Sequence, residues 1–188
     1  MTTLLELLHS KAKSLHIQLE RFLDHRYRKI TGLPSQKRSE ITPQLFVGGQ
    51  YSDTGLDRLK SQEFTAVVNM RTTTSPVLLA KVKKLGLAYL HLPTKDLHAP
   101  SLEHLEEGIA FMTTQLSNGG KVYVHCRGGE GRGPTMAIAY LMSTGMTYED
   151  AFTTVQSVRS FIRPTRVQRE RLKELELKLR AAEDKNNG

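Results

Sequence analysis

A single cysteine, no tryptophan and no apolar run near the ~20 residues of a membrane span set the first bounds on this sequence. One cysteine, Cys126, excludes an intramolecular disulfide and a multi-cysteine zinc site. It fits a reducing, cytoplasmic setting. The opening MTTLLELLHSKAKS has neither a charged n-region nor a long apolar h-region, so no secretory signal is expected. The seven histidines are scattered without ligand spacing, and neither a metal nor a cofactor is expected. Acidic residues are in deficit: 19 Asp and Glu face 27 Lys and Arg, a net charge of +8. That surplus points to anionic partners, among which phosphorylated molecules, nucleic acid and an acidic membrane face compete at this level. The 188 residues, 38% hydrophobic and 24% charged, suit one soluble globular domain.

What is there is a regular alternation of patterns. Leu4, Leu8, Ala12, Leu15, Leu19, Leu23, Tyr27 and Ile30 recur every three or four residues, which predicts an amphipathic helix over 1–30 whose apolar stripe docks on a core or a partner. Gly32-Leu33-Pro34-Ser35 breaks it, and 35–44 reads as an extended connection. Short apolar runs at 45–47, 64–70 (FTAVVNM), 87–92 and 121–125 (KVYVH) read as buried strands. Between and after them, helices are predicted over 55–61, 76–85, 100–116, 133–144, 148–159 and 165–182. The fold class is therefore α/β, a central, mostly parallel sheet of four to five strands flanked by helices, with an extra N-terminal amphipathic helix. The domain boundaries read as a helical extension over 1–34, a main α/β domain over 35–182 and a frayed tail over 183–188.

One stretch carries chemistry: His125-Cys126-Arg127-Gly128-Gly129-Glu130-Gly131-Arg132. A buried strand ends at His125, a glycine-rich loop follows, and a helix begins near Arg132. Such a loop aims backbone N–H groups and a positive dipole end at an anion. Without a Gly-Lys-Ser/Thr ending it is not a nucleotide P-loop. A helix N-terminus and a cation favour a nucleophilic thiolate, and a guanidinium grips two phosphate oxygens at once.

His-Cys-(five residues)-Arg resembles the signature of the protein tyrosine phosphatase superfamily. The likeness to its small dual-specificity members spans about 41–175, including Ile41–Gly48, Ile162-Arg163-Pro164 and Gln168. The resemblance implies Cys126 as nucleophile, Arg132 and residues 127–131 (Arg127, Gly128, Gly129, Glu130, Gly131) as the phosphate cradle, and Asp96, on a loop about 30 residues earlier, as general acid. Glu103 and Glu106 are the alternatives for the acid. His125 and Thr135 are expected to support the site. The family places Ser or Thr directly after the arginine, where this chain has Gly133, and Thr135 offers a substitute hydroxyl. Glu130 puts an acid in the loop, which disfavours a multiply anionic headgroup. Arg71 falls on the same sheet edge, where it serves either substrate or a salt bridge.

The implied reaction is phosphomonoester hydrolysis through a phosphocysteine, on phosphotyrosine and phosphoserine/threonine of proteins. A lipid or carbohydrate phosphomonoester is the alternative, and a non-catalytic phosphate-binding relative, a sulfurtransferase and an arsenate reductase are weaker rivals. The expected partner is a phosphorylated protein or small phosphoester rather than a nucleic acid. Membrane contact through 1–30 is not favoured. So short a chain lacks room for the recognition loop of larger relatives, and a shallow pocket is expected.

Overall fold

The computed structural model describes the chain from Thr3 to Asn187. Four strands, β1 (Leu45–Gly48), β2 (Ala66–Asn69), β3 (Ala88–His91) and β4 (Val122–His125), form one parallel sheet in the order β1-β4-β2-β3. Among the described residues, seven α-helices accompany it: α1 (Leu4–Thr31), α2 (Asp53–Ser61), α3 (Pro76–Lys84), α4 (Leu102–Ser117), α5 (Arg132–Ser143), α6 (Tyr148–Val158) and α7 (Arg166–Asn187). A short 3-10 turn at Gln36–Arg38 interrupts the connection expected to be extended. No described helix is long and apolar enough to cross a membrane.

The strands lack polar alternation because both sheet faces are covered. Leu45, Val47, Ala66, Val68, Val122 and Val124 belong to the larger core with residues of α4, α5, α6 and α7. Phe46, Val67 and Tyr123 point the other way, into a second cluster with Leu56, Leu59 and Val82 of α2 and α3. Helix α5 lies among α4, α6 and α7 and buries nearly all of Arg132–Met142, as its polar-poor sequence requires. Side-chain oxygens of Ser52, Ser75, Ser101 and Thr147 cap their helices. At α5 the N-cap is Gly131, which offers no side chain, so the first-turn N–H groups stay available to an anion.

Register aligns the site. Gly48, His125, Asn69 and His91 face one another across the sheet, so all four strands end on one line. Gln50, Cys126, Arg71 and the loop to Asp96 then emerge from the same carboxyl edge, where α/β sheets bind ligands.

Two helices differ from their sequence patterns. Helix α7 continues to Asn187, beyond the expected end at 182; Gly188, also assigned to the tail, lies outside the described residues, as do Met1 and Thr2 of the N-terminal helix. The apolar stripe of α1 does not dock on the core of this chain: Leu4, Leu8, Leu15, Leu19, Leu23, Tyr27 and Ile30 are exposed, and Asp24 is the only buried residue of the helix. The reason is the surface that α1 meets. It consists of the Arg159 guanidinium, the Glu130 carboxylate, Arg38 and the carbonyls of Gln50 and Arg127, which bind Asp24, Arg21, Glu20 and Arg28. Leucines would leave those groups unpaired.

Candidate active site

The β4–α5 loop is built around Cys126. The residue is buried, and its sulfur accepts a hydrogen bond from the Gly129 N–H at 3.2 Å. Gly129 has φ +71°, and an added Cβ would lie 2.4 Å from the Gly48 carbonyl carbon, so only glycine closes the loop against β1.

Arg132 is 5% exposed. Its Nη1 donates to the Thr94 carbonyl at 2.8 Å, and its Nη2 meets Asp96 Oδ1 at 2.8 Å. Asp96 itself is exposed, on a turn whose next residue, Leu97, has φ +64°. Thr165 Oγ1 donates to Leu97 O, and Gln168 Nε2 donates to His98 O. The loop is thus tied to the start of α7 through Gln168, one of the residues carrying the sequence resemblance. Glu103 stays on the first turn of α4 and Glu106 pairs with Lys178; neither lines the cleft.

His125 is fully enclosed, with Nδ1 3.3 Å from Cys126 O and the Tyr51 ring edge-on at 4.8 Å. Burial, above all, pushes its pKa down to about 3. The native state therefore keeps His125 neutral while the unfolded chain protonates it near ~6.5. Stability conferred by the neutral ring is complete above that value and falls as pH drops from ~6.5 toward 3, by up to about 1.4 kcal/mol per unit. We expect His125→Gln to lose less stability than the parent between pH 7 and 5, by roughly 2 kcal/mol, in urea unfolding. Parallel pH dependences would contradict the buried neutral imidazole.

Two expectations about the loop are corrected. The Thr135 hydroxyl donates to Gly131 O at 2.9 Å, one helical turn back, so its proton is not offered to the Cys126 sulfur. The Glu130 carboxylate does not face the phosphate position alone: Arg21 Nε binds Oε1 at 2.9 Å, and His25 Nε2 lies 3.6 Å from it. Its charge is spent on α1, so it no longer argues against a multiply anionic substrate.

The cleft has a volume of about 690 Å³, room for much more than a phosphate. Cys126, Arg132, Asp96, Arg127, Gly128, Glu130 and Gly131 all line it. So do Arg21, His25 and Arg28 of α1, which sequence reasoning missed. Their signal was present as the polar face Glu20-Arg21-Asp24-His25-Arg28, repeating at helical spacing opposite the leucines. The wall that so short a domain was expected to lack comes from this N-terminal helix.

The family model for "Dual specificity phosphatase, catalytic domain" matches residues 45–178. Rat "Dual specificity protein phosphatase 5" is 33% identical over 127 residues, 66% of this chain and 32% of that protein, so the chain spans about a third of that relative's length. Mouse "Dual specificity protein phosphatase 22" is 31% identical over 140 residues, 73% of each. Among solved structures, PTPMT1 in complex with PI(5)P superposes with a TM-score of 0.70 at 28% identity, covering 76% of this chain and 96% of that one.

Proposed function

Because the chain belongs to the dual specificity phosphatase family, we propose that it hydrolyses phosphomonoesters through a phosphocysteine at Cys126. The observation that carries this reading is one cleft holding the Cys126 sulfur, the uncapped N-terminus of α5, the Arg132 guanidinium and the Asp96 carboxyl.

In the first step the Cys126 thiolate attacks phosphorus in line, the phosphorus–oxygen ester bond breaks, and Asp96 delivers a proton to the departing oxygen. Arg132 and the loop N–H groups hold the equatorial oxygens as their charge redistributes. To do so, the Arg132 fork exchanges its contact with Asp96 for substrate oxygens. In the second step Asp96 takes a proton from water, whose oxygen attacks phosphorus and expels the thiolate. Acid quenching during turnover of an aryl phosphate, followed by mass spectrometry, should find phosphate on the peptide containing Cys126. Phosphate release with no such adduct would remove Cys126 from the role of nucleophile.

Protein phosphotyrosine and phosphoserine/threonine are the substrates that the names of the curated relatives support. A phosphorylated lipid headgroup is a second reading, supported by the likeness to PTPMT1 bound to PI(5)P and by the arginine-rich cleft.

Gly133 bears on the second step. An added Cβ there would approach nothing closer than Cys126 N at 3.5 Å, an ordinary contact, so serine fits. Its hydroxyl could donate to the departing thiolate, a charged hydrogen bond of about 1.5–3 kcal/mol. We expect the parent to show a burst with an activated aryl phosphate, and Gly133→Ser to raise kcat about 10-fold with a smaller burst. A parent without a burst and a variant with the same kcat would show that thiolate departure is not limiting.

A further inference from the structure

We propose that Arg28 and Arg71, converging on Gln50 beside the catalytic loop, form a second anion subsite, so that the preferred substrate is a compact polyol bearing a phosphate or phosphodiester next to the scissile phosphomonoester. This rests on the phosphatase reading above and adds the class of substrate to it.

The charge of the cleft exceeds the needs of one phosphate. Six arginines line it (Arg21, Arg28, Arg71, Arg127, Arg132 and Arg163) against two carboxylates, Asp96 and Glu130. Arg21 is spent on Glu130 and Asp96 on Arg132. Arg132 with the loop amides suffices for the scissile group. Among the described residues, neither Arg28 nor Arg71 has a carboxylate partner.

These two are nevertheless held in place. Arg28 Nη1 donates to the carbonyls of Gln50 at 2.9 Å and Arg127 at 3.3 Å, while its enclosed Nε has no partner among the described residues. Arg71 Nη1 donates to Gln50 Oε1 at 3.0 Å. Only neutral acceptors fix them, so the charge of both guanidiniums is left uncompensated beside the loop. The seat is shaped for this: the Arg28 guanidinium rests on Gly49, where an added Cβ would lie 2.6 Å from Cζ. Any larger residue at 49 would displace it.

The scale of the scaffold follows from connectivity. Gln50 N–H donates to the carbonyl of Arg127, the residue directly after the nucleophile. A second anion held by Arg28 and Arg71 therefore lies beside the catalytic loop, within the same cleft as the scissile phosphate, which suits a compact scaffold carrying both groups. A free polyol phosphate and a lipid headgroup share this chemistry.

The test compares kcat/KM for inositol bisphosphate isomers, inositol monophosphate, 4-nitrophenyl phosphate, and a phosphotyrosine peptide with and without acidic flanks. The full-length parent should favour at least one bisphosphate over the monophosphate by about 10-fold or more, mainly through KM. Arg71→Gln, Arg28→Gln and Gly49→Ala should each erase that ratio. Arg71 lies outside α1, so its variant remains decisive if Arg28→Gln loosens the helix. Adding a diacylglycerol-linked headgroup in mixed micelles assigns the source: faster turnover than the free bisphosphate points to lipid, equal turnover to free polyol, and both support the subsite. No bisphosphate preference in the parent, a ratio unmoved by Arg71→Gln, or an arginine-dependent preference for the acidic peptide instead would overturn it. If the parent releases phosphate from nothing, the catalytic reading fails alone. Calorimetric titration of Cys126→Ser with bisphosphate and monophosphate then decides the subsite, with tighter bisphosphate binding upholding it and equal binding ending it.

Discussion

Asp96→Asn should lower kcat by roughly 10²- to 10⁴-fold toward an alkyl phosphate such as phosphoserine, and much less toward 4-nitrophenyl phosphate. An alkoxide leaves only as it is protonated, whereas nitrophenoxide leaves unaided, so loss of a proton donor must scale with the basicity of the leaving group. The geometry favours Asp96 for this role. Its turn is fixed to α7 by Thr165 and Gln168, and the carboxyl reaches the cleft without occupying the core. Asparagine keeps the size of the side chain and its hydrogen-bonding capacity toward Arg132 but carries no acidic proton. Steady-state kinetics on a series of phosphoesters of graded leaving-group basicity reads the difference. An equal loss across the series would mean that Asp96 acts through the 2.8 Å contact that orients Arg132, and that the proton comes from another group.

That same contact illustrates what could be read in the sequence. The spacing of Cys126 and Arg132 across a glycine-rich loop sufficed to place both on one anion site, because a strand end, a loop and a helix start leave little freedom between them. The run FTAVVNM was legible as a strand covered on both faces, since no polar alternation could be accommodated otherwise. Asp96 was legible as a loop residue, but its tie to Gln168 was not, as the two are brought together only by packing of α7. Thr135 misled because a hydroxyl near the loop can satisfy itself one helical turn back, a choice of rotamer that spacing does not reveal. Helix α1 was the least legible. Its leucine stripe has the periodicity of a core-facing surface, yet the groups that receive it come from residues 38, 50, 127, 130 and 159, scattered along the chain and polar. Amphipathicity says that a helix has two faces; which one docks depends on the partner surface.

Asp24→Ala should therefore destabilise the protein by about 3–5 kcal/mol, the cost of leaving a buried cation unpaired. Asp24 and Arg159 are both fully buried, with guanidinium–carboxylate distances of 3.4 Å on both arms. Arg159 also donates to the Gly129 carbonyl at 3.1 Å and to the Arg38 carbonyl, and it lies 4.5 Å over the Phe161 ring. One side chain thus joins α1, the segment before β1 and the catalytic loop. At roughly 2–4 °C per kcal/mol for a chain of this size, the melting temperature should fall by about 6–20 °C. The double variant Asp24→Leu/Arg159→Met should recover only part of that loss: the apolar pair removes the unpaired charge, but the Gly129 and Arg38 carbonyls are left without their donor. Activity should not return with it, because Gly129 then lacks the donor that fixes its carbonyl and α1 lacks the charge that registers Arg21 and Arg28 in the cleft. A change in melting temperature below about 2 °C for Asp24→Ala would mean that α1 does not rest on Arg159 in solution, and that the catalytic cleft is open on that side.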